Sequence, residues 1–169
     1  MRIVAVLSTL IFSLTTSLSS VFADDDSLDM RNAKWIMDGN LLVGGQHSAS
    51  DITKMKQAGV AAIINLRMPA EFDNQALIEE SKKQKISYNM LPIAGSSGIT
   101  LENMRALDDI LKSFEGEKVT LHCASGNRVG ALLALRAFHI QGKSKEEALK
   151  LGTKAGMRSL KFHVAAMLK

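Results

Sequence analysis

"LHCASGNRVGALLAL", residues 121–135, holds the only cysteine of the chain and decides how the rest is read. Ahead of it, Lys118 to Cys123 is a short β-rich run entered from a Glu115-Gly116 turn. Behind it, from Arg128 to Ile140, Ala131, Leu132, Leu133, Ala134, Leu135, Ala137 and Phe138 are good helix and core residues. Cys123 is therefore expected at the end of a strand, with Ala124 to Asn127 joining it to a helix N-terminus. The first N–H groups of a helix have no partners within it and its dipole is positive there, so such a loop favours an anion. The same field favours a thiolate. Gly126 lets the loop curl, and Arg128 can give two parallel hydrogen bonds to a tetrahedral oxyanion. A nucleophile, an amide cradle and an arginine fork are the requirements for attack on phosphorus through a covalent intermediate. Cys123 and Arg128 are the catalytic candidates. His122, Ala124, Ser125, Gly126, Asn127 and Val129 are the candidate substrate-binding residues. The competing expectation is a buried cysteine acting as a small hydrophobe.

The N-terminus bears on where such a thiol would work. Met1 and Arg2 precede an apolar stretch from Ile3 to Leu18, interrupted only by Ser and Thr, and Val21-Phe22-Ala23 stand before three Asp residues. One positive charge, an apolar run and small residues at −3 and −1 are the parts of a secretory signal peptide. The run is too short for a spanning helix, so residues 1–23 are expected to be removed, leaving no stable membrane anchor and a periplasmic or secreted product. Residues 24–169 then form one domain, large enough to fold without disulfides. The formal net charge of +4 loses only Arg2. The basic excess is concentrated from Gln141 onward, with seven basic and two acidic residues, most simply as solvated helix faces. Basic-aromatic interleaving of the kind that binds nucleic acid is absent, and no His, Cys or acidic pair has metal-ligand spacing, so neither nucleic acid nor a metal or other cofactor is expected.

The remaining pattern alternates between strand and helix. Trp35 to Val43 suits a hairpin around Asp38-Gly39-Asn40. Ser50 is the expected N-cap of a helix to Ala58, closed by Gly59. Val60 to Leu66 is an apolar run suited to a strand buried on both faces. Asn74 to Gln84 is expected as a helix with Leu77 and Ile78 inward, followed by a strand from Ser87 to Ile93. Thr100 caps a helix carrying Met104, Leu107, Ile110 and Leu111; Ser144 and Glu147 form a capping box, and a last helix spans Ser159 to Leu168. Strands separated by helices imply an α/β fold with a mainly parallel central sheet flanked by helices, its loops at the carboxyl ends of the strands carrying the site. His47, after a Gly-Gly loop, is expected at the surface.

His-Cys-x-x-Gly-x-Arg resembles the active loop of cysteine-dependent phosphatases in shortened form. Tyrosine and dual-specificity phosphatases carry five residues between Cys and Arg; Ala124 to Asn127 make four, which is also the rhodanese-type sulfurtransferase spacing. "LLVGGQHSASDITKMKQAGVAAIINLR" (41–67), "YNMLPIAGSSGIT" (88–100) and "HCASGNRVGALLAL" (122–135) are similar, in that order, to the phosphatase-like domain of the beta-lactamase-hydrolase-like proteins. The resemblance spans about residues 35–158 and implies a cysteine-phosphatase-like fold acting on a phosphate monoester or phosphoprotein, with Gln46 near the pocket. Two departures stand out. The Asp that dual-specificity phosphatases place after an Ile/Leu-Pro pair is matched here by Gly95, so the proton donor for the leaving oxygen is missing, with Glu71 or Asp73 as stand-ins. The usual hydroxyl after the arginine is Val129, which implies slow turnover. Three functions stay open: a slow exported phosphatase, a sulfurtransferase carrying a persulfide on Cys123, and a non-catalytic anion-binding domain.

Overall fold

A computed structural model describes residues 28–169; the signal-peptide expectation lies outside them. Five strands form one sheet in the order β1-β2-β5-β3-β4. They are β1 (Lys34–Ile36), β2 (Leu41–Gly44), β3 (Val60–Asn65), β4 (Ser87–Met90) and β5 (Lys118–His122). Only the β1–β2 hairpin is antiparallel; β2–β5, β5–β3 and β3–β4 are parallel. The helices are α1 (Ala49–Gln57), α2 (Gln75–Lys83), α3 (Leu101–Ser113), α4 (Asn127–His139), α5 (Lys145–Lys154) and α6 (Lys161–Met167). The expected α/β architecture is the one observed.

The two-residue period of the strands sorts the core into two layers. Val119, Leu121 and Cys123, with Ala62, Ile64, Leu41 and Val43, pack against α3, α4, α5 and α6. Leu42 and Ile63 turn to the other face, where Ile52 and Met55 of α1 and Leu77 of α2 cover them. β5 lies centrally, between β2 and β3, so its carboxyl end opens at the middle of the sheet edge.

Helix starts follow local chemistry. Thr100 and Ser144 accept from the N3 amides of α3 and α5, and Glu147 closes the expected capping box. α1 begins earlier than expected. Its N-cap is Ser48, not Ser50, because Asp51 at N3 reaches back to the Ser48 amide and hydroxyl, each at 2.8 Å. The strand expected from Ser87 to Ile93 ends at Met90, although Leu91 and Ile93 still donate to Asn65 and Leu66 carbonyls at 2.9 and 3.1 Å. Within α2, Leu77 is buried as expected, but Ile78 is 40 % exposed and faces solvent.

α4 and α5 meet through glycine. A Cβ at Gly130 would run into the Gly152 carbonyl oxygen and the Met157 amide nitrogen, both backbone atoms that cannot swing aside. Gly130→Ala is therefore expected to cost about 1–3 kcal/mol, the usual range for overpacking. Urea unfolding monitored by circular dichroism measures it as a lowered midpoint at unchanged slope.

Candidate active site

The strand-to-helix turn forms where the sequence places it. β5 ends at His122, Cys123 follows, and Gly126 caps α4 with φ 89°, a left-handed conformation that costs a glycine nothing. The cap supplies no side-chain hydrogen bond and the first turn of α4 contains no acidic residue, so its positive end is uncompensated from within. The Gly126 amide donates to Cys123 Sγ at 3.2 Å. The Cys123 amide donates to the Gly44 carbonyl and the Ala124 carbonyl accepts from the Gln46 amide, both at 3.3 Å, which lash the loop to the end of β2. Gly45 pairs with Ser125, and a Cβ there would stand 2.8 Å from the Ala124 oxygen. The thiol itself is 1 % exposed, at the floor of the loop.

Arg128 is 8 % exposed and tightly held. Its Nη1 donates to Glu71 Oε1 at 2.6 Å, to the Ile93 carbonyl at 2.7 Å and to the Leu66 carbonyl at 3.4 Å; its Nη2 donates to Glu71 Oε2 at 2.7 Å. Glu71 thus occupies the Nη1/Nη2 end of the fork. The Nε–H and the second Nη2 hydrogen lie along the other edge of the planar guanidinium and take no part in these bonds. Hydrogen bonding to Glu71 leads in raising the Arg128 pKa, and nearby Cys123 adds to the rise. Reciprocally, Arg128 leads in holding the Glu71 carboxyl down at about 2, helped by the Met68 amide and by Arg67.

Arg67, which the sequence did not single out as a site residue, braces this loop. Its Nη1 donates to Gln46 Oε1 at 2.7 Å, its Nη2 to the Glu71 carbonyl at 2.5 Å, and its guanidinium lies 4.7 Å from the Phe72 ring centroid. Gln46 therefore holds the wall rather than facing open solvent. Asp73, the other stand-in acid, caps the Gln75 amide at 2.9 Å.

A cleft of about 440 Å³ opens above the turn, lined by Glu71, Gly95, Ser96, Ser125, Asn127, Arg128, Ser159 and Leu160. Ser125, Asn127 and Arg128 come together there, with Gly126 beneath and Ala124 half-buried beside them. The Asn127 side chain is committed elsewhere: Nδ2 donates to Ser159 Oγ at 2.7 Å, and Oδ1 accepts from the Arg158 amide at 2.8 Å. It fastens the loop to the segment before α6, leaving the Asn127 amide, not the carboxamide, as its contribution to a ligand. Two of the expected substrate-binding residues keep their side chains out of the cleft lining. Val129 is fully buried in the α4 layer, so its side chain is core. His122 alternates away from Leu121 and Cys123, and its ring, wholly buried, packs edge-on against His47 at 4.5 Å between centroids. His122 can position the turn but cannot touch a ligand.

His47 is likewise buried, not at the surface as expected. Its Nδ1 lies 2.9 Å from the Ser48 carbonyl; its Nε2 and both nitrogens of His122 have no hydrogen-bond partner among the described residues. Burial pushes both pKa values down, that of His122 well below the ordinary histidine value, and the neighbouring His47 adds to the push on His122. No group of three His, Cys, Asp or Glu side chains able to hold a metal occurs among the described residues.

No family model and no curated protein sequence matches the chain. Solved structures do. A DUF442 phosphatase candidate from Shewanella putrefaciens CN-32 superposes with TM-score 0.65 at 17 % identity, covering 83 % of this chain and 92 % of that one. A phosphatase candidate from Neisseria meningitidis Z2491 gives 0.64 at 18 %, covering 78 % and 94 %. A kinase-associated phosphatase whose catalytic-site cysteine is replaced by serine gives 0.54 at 17 %, covering 74 % and 82 %. The fold is that of the cysteine phosphatases.

The histidine pair has a consequence for stability. Both groups take up a proton less readily in the folded chain than in the unfolded chain, which protonates them near pH 6.5, so the unfolded state binds more protons in acid. Stability is expected to fall as pH drops below about 6.5, a window in which Glu71, held near 2, is ionised in both states. Urea midpoints between about pH 7.5 and 5.5 measure the slope, and His47→Phe should flatten it.

Proposed function

We propose that the chain is an exported cysteine-dependent phosphatase that hydrolyses phosphate monoesters or phosphoproteins through a phosphocysteine, working in the periplasm or outside the cell. The observation that carries this is the Arg128 guanidinium, fixed by Glu71 and two carbonyls, with Cys123 close enough to help hold its charge. Fold neighbours named as a phosphatase or as phosphatase candidates support it, as does the sequence resemblance to the phosphatase-like domain of the beta-lactamase-hydrolase-like proteins. Export rests on the N-terminal sequence alone.

The chemistry follows from the geometry. The phosphoryl oxygens take the amides at the start of α4 and the other edge of Arg128, which together neutralise charge that builds in the transition state. The Cys123 thiolate attacks phosphorus, forming an S–P bond as the bond to the leaving oxygen breaks. Water then attacks the phosphocysteine, returning the thiolate and releasing phosphate. Glu71 is a positioning residue: it sets the plane of the guanidinium. With Val129 where the resemblance places a hydroxyl after the arginine, that assistance to departure of the sulfur is lost, and turnover is expected to be slow.

Arg128→Lys keeps the charge but loses the fork. It should reduce aryl phosphate turnover by about 10²-fold or more, as removal of an oxyanion donor does. Cys123→Ser should abolish turnover while vanadate binding by calorimetry is kept, because the amides and Arg128 stay in place. A lysine variant as active as wild type contradicts the proposal. Inert wild type that accepts sulfur from thiosulfate at Cys123 replaces it with sulfur transfer.

A further inference from the structure

The phosphatase proposal leaves open what delivers a proton to the departing oxygen, and the cleft answers it. Of the described residues that line it, only Glu71 and Arg128 ionise in the ordinary sense. Both Glu71 oxygens are taken by Arg128, Oε1 also accepts from the Met68 amide at 3.0 Å, and the carboxyl is held at about 2. It is a carboxylate at neutral pH and has no proton to give. Arg128 stays charged. The hydroxyls of Ser96, Ser125 and Ser159 are far too weak as acids. Asp73 is engaged on the Gln75 amide outside the cleft lining. His47 and His122 are sealed on the other face of β5 from Cys123.

From this we infer that the site takes phosphoryl groups whose leaving group departs as a stable anion: aryl and acyl phosphates and phosphoanhydrides, not the alkyl phosphates of serine, threonine or sugars. The inference rests on the phosphatase proposal. In the first step the S–P bond forms, the P–O bond breaks, and the electron pair stays on the leaving oxygen, which picks up its proton later from water. Without a general acid the barrier carries the full basicity of that oxygen. General acid catalysis is worth about 10²–10⁴ in rate, and the loss falls most heavily on basic leaving groups.

Position 95 determines this specificity. Gly95 lines the cleft with Arg128, no atom lies within 4 Å of a Cβ built on it, and its φ of +49° is one that Asp adopts more readily than most residues. An aspartate has room there at the mouth of the cleft, at the cost of the strain that a side chain meets at this φ.

The test is kcat/KM, which reports the phosphoryl-transfer step to the enzyme, across 4-nitrophenyl, phenyl and benzyl phosphates. Wild type should fall steeply, at least about tenfold from 4-nitrophenyl to phenyl and further to benzyl. Gly95→Asp should raise phenyl relative to 4-nitrophenyl phosphate by about tenfold or more and introduce a loss of kcat/KM at high pH as the new acid ionises. Ser96→Asp is the second variant should the first fail to fold, and the wild-type slope decides without either. Activity that is flat across the series overturns the inference and leaves the phosphatase proposal standing. No turnover of any member, 4-nitrophenyl phosphate included, removes the phosphatase proposal and the inference with it.

Discussion

A guanidinium that must be buried at the edge of the sheet organises this molecule. Arg128 leaves water on folding, and an uncompensated buried charge costs several kcal/mol. Its acceptors come from separate segments: the Leu66 carbonyl at the exit of β3, Glu71 from the 3-10 turn that follows, and the Ile93 carbonyl beyond β4. Satisfying one side chain therefore fixes three stretches of chain relative to the first turn of α4. The same bonds consume one end of the fork and leave the other, so the stabilising interaction also orients the functional one.

The pleat of β5 divides labour between neighbouring residues. Cys123 belongs to the α4 face with Leu121, beside the start of that helix and near Arg128. His122 belongs to the other, packed edge-on against His47. Two imidazoles in contact fill space as stiff, polar-edged plates and tie the turn after β2 to the end of β5. Close backbone approach around the loop depends on small residues. Gly45 lies under Ala124 and Ser125, and Gly156 sits 3.1 Å from Gly126 by the position a Cβ would take. The cradle is thus built by contacts that larger side chains would block.

What the sequence made legible was what one element decides alone. The apolar run after Arg128 specified α4, and Thr100 and Ser144 marked two helix starts through hydrogen bonds three residues long. Ser48 could have been found too, since Asp51 three residues on completes its box, but Ser50 offered an equally good hydroxyl without the partner. Ile78 was misplaced because a nine-residue helix with adjacent apolar residues leaves the inward direction ambiguous. Harder were the properties that arise only when segments meet. Glu71 was recognisable as a carboxylate near the mouth, but its bond to Arg128, fifty-seven residues away, converts a prospective acid into a permanent anion. His47 looked like loop until β5 brought His122 against it, and Asn127 looked like a ligand until Ser159 and Arg158 claimed its side chain.

The central claim is that Cys123 bonds to phosphorus while the start of α4 and the other edge of Arg128 hold the oxygens. Acid quenching during turnover of 4-nitrophenyl phosphate, followed by mass spectrometry of the intact chain and its peptides, tests it most directly. The expected result is a species one phosphoryl group heavier, with the added mass on the peptide containing Cys123 and lost when turnover ends. Turnover with no phosphorylated intermediate, or with the phosphoryl group on another residue, would contradict it.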